Sequence, residues 1–316
     1  MPLESESGDH AQPTSPPPSR TEERNWRTTD IDVVSTEEVL RLLNAEDATV
    51  AGAVASALPA LAAVVDLVVE RLAAGGRVHY FGAGTSGRMG VLDSAEVIPT
   101  FGLERGIFVA HQAGGDQALG TAVEGAEDDE ALGARDAGAL SSSDVAVGIT
   151  ASGRTPYVAG ALKMARSAGA LTALITSNPA APLAVLAQHC VIVDTGPEAI
   201  AGSTRLKAAT AQKMVLNALS TAAMVRLGRT YSNLMASMSG INSKLRQRQI
   251  MILREASGAD SDEACRAELE RCGGDLRLAL LCLLSGLEPE AAGEVLAAAG
   301  GSVRGAVLRL GTQVSP

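Results

Sequence analysis

Three loops combine small residues with hydroxyl side chains and an arginine, a composition suited to binding an anion. Residues 82–88 read Gly-Ala-Gly-Thr-Ser-Gly-Arg, residues 152–155 read Ser-Gly-Arg-Thr, and residues 202–205 read Gly-Ser-Thr-Arg. Each loop opens a helical pattern, and the N-terminus of a helix offers free N–H groups and a positive dipole end. We therefore expect these loops to bind a phosphate group. The expected contacts are Gly84, Thr85, Ser86, Ser152, Thr155, Ser203 and Thr204.

Each loop taken alone also has a simpler explanation. Hydroxyl side chains at helix starts are ordinarily N-caps, and the Gly-x-Gly-x-x-Gly spacing at 82–87 is weak evidence for a ligand. The recurrence of Ser-Gly-Arg at 86–88 and 152–154 favours phosphate binding over separate caps. The formal charge of −10, from 36 acidic and 26 basic residues, argues against a nucleic-acid binder. A small anionic ligand remains compatible with that charge.

Two glutamates near these loops are candidates for proton transfer. Glu96 follows the first loop by about three helical turns, and Glu127 lies in Glu-Gly-Ala-Glu-Asp at 124–128. Two carboxyl groups with separated pKa values can act as acid and base. A glutamate on a helix is more often a solvated surface residue, and Glu124 competes for the place of Glu127. Glu198, in a tight Gly-Pro-Glu turn, is a candidate contact to a sugar hydroxyl, and Asp93 is expected to be structural or orienting.

The histidines and cysteines offer no convincing metal site. His79 and His111 flank predicted strands and are expected to be structural. The four cysteines are Cys190, Cys265, Cys272 and Cys282, at spacings that match no zinc pattern. We expect buried free thiols, no metal and no cofactor.

Short strands that alternate with helices would position the loops. Strands are predicted at 77–81, 107–109, 145–149, 171–176 and 190–193, and long helices at 47–74 and 204–227. This alternation predicts an α/β fold, a doubly wound and mostly parallel sheet in a flavodoxin-like three-layer arrangement. In such folds ligands bind beyond the carboxyl ends of the strands, where the polar loops fall.

Composition divides the chain into three parts. Residues 1–20 are rich in Pro, Ser and acid and predict a disordered tail. Residues 21–250 form the predicted catalytic domain, and the short amphipathic stretches of 251–316 predict a small helical domain. The apolar stretch 50–72 contains Pro59, Asp66 and Glu70, so a core helix is expected there and no membrane association. With no secretory signal in view, we expect a cytoplasmic protein.

The loop sequences resemble those of the N-acetylmuramic acid 6-phosphate etherases, which carry a sugar isomerase domain. The matching segments are 21–25, 82–88, 151–157, 196–198, 202–207, 210–213, 216–217, 233–235 and 242–245. They occur in order over about residues 21–250, which makes the resemblance specific. Val97 and Ile98 stand where the family tends to have Cys-Pro, and Ala209 stands where Gly is usual.

The resemblance implies a phosphosugar substrate and cleavage of its lactyl ether by elimination and addition of water. It assigns Glu96 as the proton donor to the lactyl oxygen and Glu127 as the second carboxylate, the C2 base. It also implies a homodimer, as do the long apolar helices. Two alternatives use the same loops: an aldose–ketose isomerase, and a sensor that binds a sugar phosphate without turning it over.

Overall fold

The computed structural model describes residues 19–238 and 243–311. The predicted tail lies outside the described residues up to position 18, whereas Ser19 is buried and Arg20 begins a short 3-10 helix. The strands are β1 (Val78–Gly82), β2 (Phe108–Gln112), β3 (Val145–Ile149), β4 (Leu171–Thr176) and β5 (His189–Ile192). The helices of the first part are α1 (Thr36–Asp47), α2 (Val50–Ala73), α3 (Gly84–Phe101), α4 (Gln117–Gly120), α5 (Glu130–Asp136), α6 (Pro156–Ser167) and α7 (Lys207–Arg226). They are followed by α8 (Ser243–Ser257), α9 (Asp262–Arg271), α10 (Leu276–Ser285), α11 (Pro289–Ala298) and α12 (Val303–Arg309).

All five strands are parallel, in the order β2-β1-β3-β4-β5. Successive side chains of a strand point to opposite faces, so Tyr80 belongs to the core under α2, α3 and α7, and Phe81 to the core under α6. The predicted doubly wound, three-layer α/β fold is therefore confirmed. From β1 the chain adds β2 on one side of the sheet and then β3 on the other, so the strand order reverses between β1 and β3. A crevice is expected beyond the carboxyl ends of these two strands.

Strand β2 is the part of the sheet that the sequence described least well. The prediction ended this strand at 109, but it continues to Gln112, which pairs with Gly82 at the end of β1. His111 and Gln112 are polar, so hydrophobicity alone missed the end of the strand. On β1 and β2 the imidazoles of His79 and His111 lie 3.0 Å apart, Nδ1 to Nε2. Burial lowers the pKa of His79 to about 4, so this pair is neutral at physiological pH.

Helix α2 packs into the core along one stripe. Its buried residues are Val50, Val54, Ala57, Leu61, Val64, Val65 and Val68, a spacing typical of an amphipathic core helix. By length and composition alone, the stretch Thr36–Ala73 would also be able to cross a membrane. The contact of α2 with α7 and with the sheet core explains the apolar character of this buried stripe. Its outer face carries small apolar residues and the exposed Leu58.

The helical part has its own apolar core. This second core runs from Tyr231 to Val307 and includes Leu253, Leu280 and Ala306. Ser261 and Asp275 accept hydrogen bonds from the first N–H groups of α9 and α10, so the short helices begin at capping residues. The shared core places α8 with the helical part. The sequence predicted a domain boundary at 250; because this core begins at Tyr231, we propose one near residue 230.

Candidate active site

The first predicted phosphate loop joins β1 to α3 with a single residue, Ala83, between them. A Cβ on Gly82 would lie 2.7 Å from the nitrogen of Gly87, and one on Gly87 would lie 2.5 Å from the oxygen of Gly82. Glycine at both positions therefore lets the helix start directly against the end of the strand. Gly84 has a φ of +53°, which glycine adopts at little cost. Thr85 and Ser86 then fall in the first turn of α3, with their hydroxyls free of hydrogen-bond partners among the described residues.

The second loop, after β3, is held in shape by its neighbours. The Oγ1 atoms of Thr150 and Thr155 lie 2.8 Å apart, and Asn178 donates from Nδ2 to the carbonyl of Ser152 at 2.7 Å. Thr155 is the N-cap residue of α6, but its side chain makes no capping hydrogen bond. The N-cap explanation of this hydroxyl therefore does not apply. Ser152 and Thr155 are half-buried at the carboxyl end of the sheet, next to the first loop.

Glu127 and the first loop line one cavity of about 340 Å³. The cavity is bounded by Gly84 at the start of α3, by Gln112 at the end of β2 and by residues 122–127. Glu124 lines it too, so the structure leaves both carboxylates of this loop near the first phosphate loop. The guanidinium of Arg88 donates to the carbonyls of Ala118 and Leu119, at 2.8 and 3.1 Å. Arg88 thus anchors the segment that leads to Glu127.

Gln112 is a cavity residue that the sequence analysis missed. Its side chain is buried, and its Oε1 atom has no hydrogen-bond partner among the described residues. A buried carbonyl oxygen without a donor is costly, and this atom lies against α3, where a Cβ added to Gly87 would be 2.0 Å from it. In the sequence Gln112 is a polar residue at the end of a strand. It was not recognised as one because the predicted strand ended at 109.

Glu96 lies elsewhere on the same chain. It is 12 residues beyond Gly84, about 18 Å along the axis of α3. Its side chain is exposed and is not part of the cavity that contains Glu127. One helical turn earlier on α3, Leu92 is 42% exposed. The structure therefore does not bring the two predicted catalytic carboxylates together within one chain.

Glu198, the predicted contact to a sugar hydroxyl, does not line the cavity of Glu127. It is fully buried, and its two carboxylate oxygens accept hydrogen bonds from the backbone N–H groups of Lys207 and Ala208, at 2.9 and 3.0 Å. These are the first N–H groups of α7, so Glu198 caps that helix. Its role is to position α7. Ser203 and Thr204 are half-buried in the turn that leads into α7 and do not line the cavity of Glu127.

Asp93 fixes α3 against its neighbours, in agreement with the expected orienting role. Its carboxylate accepts hydrogen bonds from Tyr80 Oη on β1 and Ser220 Oγ on α7, each at 2.9 Å. Burial raises the pKa of Asp93 to about 6, and the two hydrogen bonds oppose that increase. Strand β1 and helices α3 and α7 are thus joined through one buried side chain.

Comparison with known proteins identifies the family. A model of the sugar isomerase (SIS) domain matches residues 117–222, and a model of the glucokinase regulatory protein N-terminal SIS domain matches residues 60–166. The N-acetylmuramic acid 6-phosphate etherase of Thermobifida fusca is 56% identical over 87% of this chain and 90% of its own length. That of Pectobacterium atrosepticum is 50% identical over 91% and 95%, respectively. The chain belongs to the N-acetylmuramic acid 6-phosphate etherase family.

Among solved structures, a phosphoheptose isomerase from Francisella tularensis is similar to this etherase family member. It is 20% identical, covers 61% of this chain and all of its own length, and has a TM-score of 0.48. The departures at Val97 and Ile98 lie within α3, where Val97 is buried in the main core, and they leave Glu96 in place.

Proposed function

We propose that this chain cleaves the lactyl ether of N-acetylmuramic acid 6-phosphate, giving N-acetylglucosamine 6-phosphate and D-lactate. The observation that carries the proposal is the cavity that Glu127 shares with Gly84 and Gln112 at the carboxyl edge of the sheet. Its volume of about 340 Å³ lies within the range of small-molecule sites, about 300–1,000 Å³. We further propose that the enzyme acts in the cytoplasm, in the recycling of cell-wall amino sugar.

The two loops after β1 and β3 would hold the phosphate group. The free N–H groups at the start of α3 and the hydroxyls of Thr85 and Ser86 are available donors there. On the neighbouring strand, Ser152 and Thr155 supply two more hydroxyls. Phosphate at a helix N-terminus is favoured by the helix dipole and by hydrogen bonds from backbone N–H groups.

An elimination mechanism allows the lactyl group, a poor leaving group, to depart from C3. In the open-chain sugar C1 is an aldehyde, and the proton on C2 becomes acidic. Glu127 would remove that proton while Glu96 protonates the lactyl oxygen on C3, so that D-lactate leaves and a C2–C3 double bond forms. Water then adds to C3 and C2 is protonated again. The net reaction consumes one water and needs two carboxyl groups in opposite protonation states.

Geometry supports a site completed by a second copy of the chain. Each carboxyl group must lie within about 3 Å of its proton, and C2 and C3 are neighbouring carbons about 1.5 Å apart. The two carboxyl groups must therefore converge within roughly 9 Å. Within one chain Glu127 lies beside Gly84, whereas Glu96 is about 18 Å along α3 from that residue. We propose a homodimer in which Glu96 of each chain enters the cavity of the other.

The surface around Glu96 is suited to such an interface. Glu96 and Leu92 are exposed neighbours on α3, one helical turn apart. In the single chain Glu127 is exposed as well. Packing a second chain against α3 would cover Leu92 and exclude water from both carboxylates, which strengthens electrostatic interactions in the site.

The reaction is tested by incubating the purified protein with N-acetylmuramic acid 6-phosphate in heavy-oxygen water. We expect D-lactate without the heavy isotope and a sugar product that carries it at C3, because the C3–O bond breaks and solvent water adds. Mass spectrometry of both products measures this. A folded protein that binds the sugar phosphate but releases no lactate contradicts the proposed reaction and favours the sensor alternative.

The shared site is tested separately by mixing two inactive variants. Glu96→Ala and Glu127→Ala chains are co-expressed with different tags, and the mixed dimer is purified. If each site combines Glu96 of one chain with Glu127 of the other, one of the two sites in a mixed dimer is intact. The purified mixed dimer then has about half of wild-type activity, and the unpurified statistical mixture about a quarter. If both residues act within one chain, every site lacks a carboxylate and activity is not recovered, although wild type still releases lactate.

A further inference from the structure

Two buried cysteines and a glutamate meet in the helical part, far from the sugar-binding loops in sequence. The Sγ atoms of Cys272 and Cys282 are 3.8 Å apart, and Cys272 Sγ lies 3.6 Å from Oε1 of Glu268. One potential ligand atom from each of the three residues lies within 4.8 Å of the other two. Cys272 ends α9 and Cys282 lies on α10, so the cluster joins two helices.

These separations match the edges of a tetrahedral metal site. With metal–sulfur bonds of about 2.3 Å, as for zinc, two sulfurs of a tetrahedron are about 3.8 Å apart. With a metal–oxygen bond of about 2.1 Å, the sulfur–oxygen edge is about 3.6 Å. Both values equal the separations found between Cys272 Sγ and its two neighbours. Two of the three edges thus match those of a metal site, and the third pair of ligand atoms, from Glu268 and Cys282, lies within 4.8 Å.

We propose that Glu268, Cys272 and Cys282 bind one thiophilic divalent cation of the zinc type. Thiolate sulfur and a carboxylate oxygen are ligands that zinc accepts, and they discriminate against magnesium and calcium, which require oxygen ligands. The side chain of Glu268 is 14% exposed, so the fourth position is reached from solvent and is taken by water. Oε2 of Glu268 lies 3.6 Å from Nε of Arg271, which orients the carboxylate.

Metal binding displaces the protons of the two thiols. A cysteine thiol is ordinarily protonated at neutral pH, and the cation binds its thiolate form. Binding one divalent cation to two thiols and one carboxylate releases two protons and leaves the site with a net charge of −1. Affinity therefore increases with pH. The cation would cross-link the end of α9 to α10 and so stabilise the helical part.

The spacing of the three ligand residues along the chain does not indicate a metal site. Zinc ligands in small domains usually come in pairs separated by two to four residues, but Cys272 and Cys282 are ten positions apart. Glu268 and Cys272 are one helical turn apart and share a face of α9. Only the packing of α10 against α9 brings the third ligand to them. The expected free thiols are confirmed, with Cys265, Cys272 and Cys282 buried and Cys190 half-buried, and the metal site is a proposal beyond that expectation.

The test is a titration of the full-length protein with Cd²⁺ alone, after reduction with a phosphine and removal of metal. We expect one equivalent to bind with an ultraviolet thiolate-to-metal charge-transfer band and to raise the Tm. Cys272→Ser and Cys282→Ser should each lose the band and the Tm shift. Glu268→Gln should keep the band but bind more weakly. Cys265→Ser is the matched control, because Cys265 is a fully buried cysteine of α9 that is not part of the cluster.

Two results would overturn the proposal. One is a reduced wild-type protein that shows no charge-transfer band at stoichiometric Cd²⁺. The other is loss of the band in Cys265→Ser to the same extent as in Cys272→Ser. Lactate release by each variant serves as the check on folding, since the cluster lies outside the sugar-binding part. If the serine variants do not fold, two other measurements decide the outcome. They are weaker Cd²⁺ binding by Glu268→Gln than by wild type, and the release of two protons when wild type binds one cation.

Discussion

The N-terminal segment is attached to the start of α7 through one buried carboxylate. Glu46 is 2% exposed and accepts a hydrogen bond of 2.7 Å from Nζ of Lys207, which is 1% exposed. It also accepts hydrogen bonds from Nε and Nη2 of Arg27. The hydrogen bond from Arg27 is the main cause that lowers the pKa of Glu46 to about 2, with Lys207 contributing as well.

Removing this carboxylate should destabilise the protein strongly. Glu46→Ala leaves the ammonium of Lys207 buried without its partner, a change that costs about 3–5 kcal/mol of unfolding free energy. The pKa of Glu46 gives a second value for this loss of unfolding free energy. A decrease from 4.5 to about 2 corresponds to about 3 kcal/mol of stability at neutral pH. Because the folded pKa is depressed, this stability is present above pH 4.5 and is lost as the pH falls towards 2.

The assay is urea unfolding at pH 7, followed by circular dichroism, of wild type, Glu46→Ala and Glu37→Ala. Glu37 pairs with Arg41 on the surface, with 76% of its side chain exposed, so its loss should cost at most about 0.5 kcal/mol. The double variant Glu46→Leu/Lys207→Met should be more stable than Glu46→Ala, because it removes the buried charge as well. A loss below about 1 kcal/mol in Glu46→Ala, or no recovery in the double variant, would refute this reasoning.

Two further predictions concern the site. Gly87→Ala should lower kcat/KM by about 100-fold through displacement of α3, since its Cβ would lie 2.0 Å from Oε1 of Gln112. Steady-state kinetics measure this loss. Asp93→Asn should change the pH dependence of stability. The raised pKa of about 6 means that the wild type loses stability as pH rises from about 4 through 6, by up to about 3 kcal/mol. The variant should lack this component, as measured by urea unfolding at a series of pH values.

Each of these has a matched control. Gly52→Ala is made at an open position on α2, with nothing within 4 Å of the new Cβ, and should leave kinetics unchanged. Equal loss of activity in both glycine variants would contradict the argument from close approach. Asp66→Asn, at an exposed position of α2, should keep the wild-type pH profile. A profile in Asp93→Asn that parallels the wild type would show that Asp93 does not titrate as described.

Local patterns in the sequence were sufficient to predict the α/β architecture and the proximity of two of the polar loops. Short apolar runs separated by helical periods indicate parallel strands, and the carboxyl ends of parallel strands meet at one edge. The loops at 82–88 and 152–155 were therefore expected to be neighbours, and the structure places them on adjacent strands. The start of α1 is equally local, because the side chain of Ser35 accepts a hydrogen bond from the N–H of Glu38, three residues away.

Contacts between distant segments were decided by the tertiary structure alone. Gln112 became a cavity residue because β2 pairs with β1 to its last residue, and Glu198 became a cap because α7 begins beside it. Cys272 and Cys282 form a cluster only through the packing of α9 on α10. A polar side chain binds whatever partner the fold brings within about 3 Å. That partner depends on the packing of whole helices and strands, which residue types and spacing along the chain do not specify.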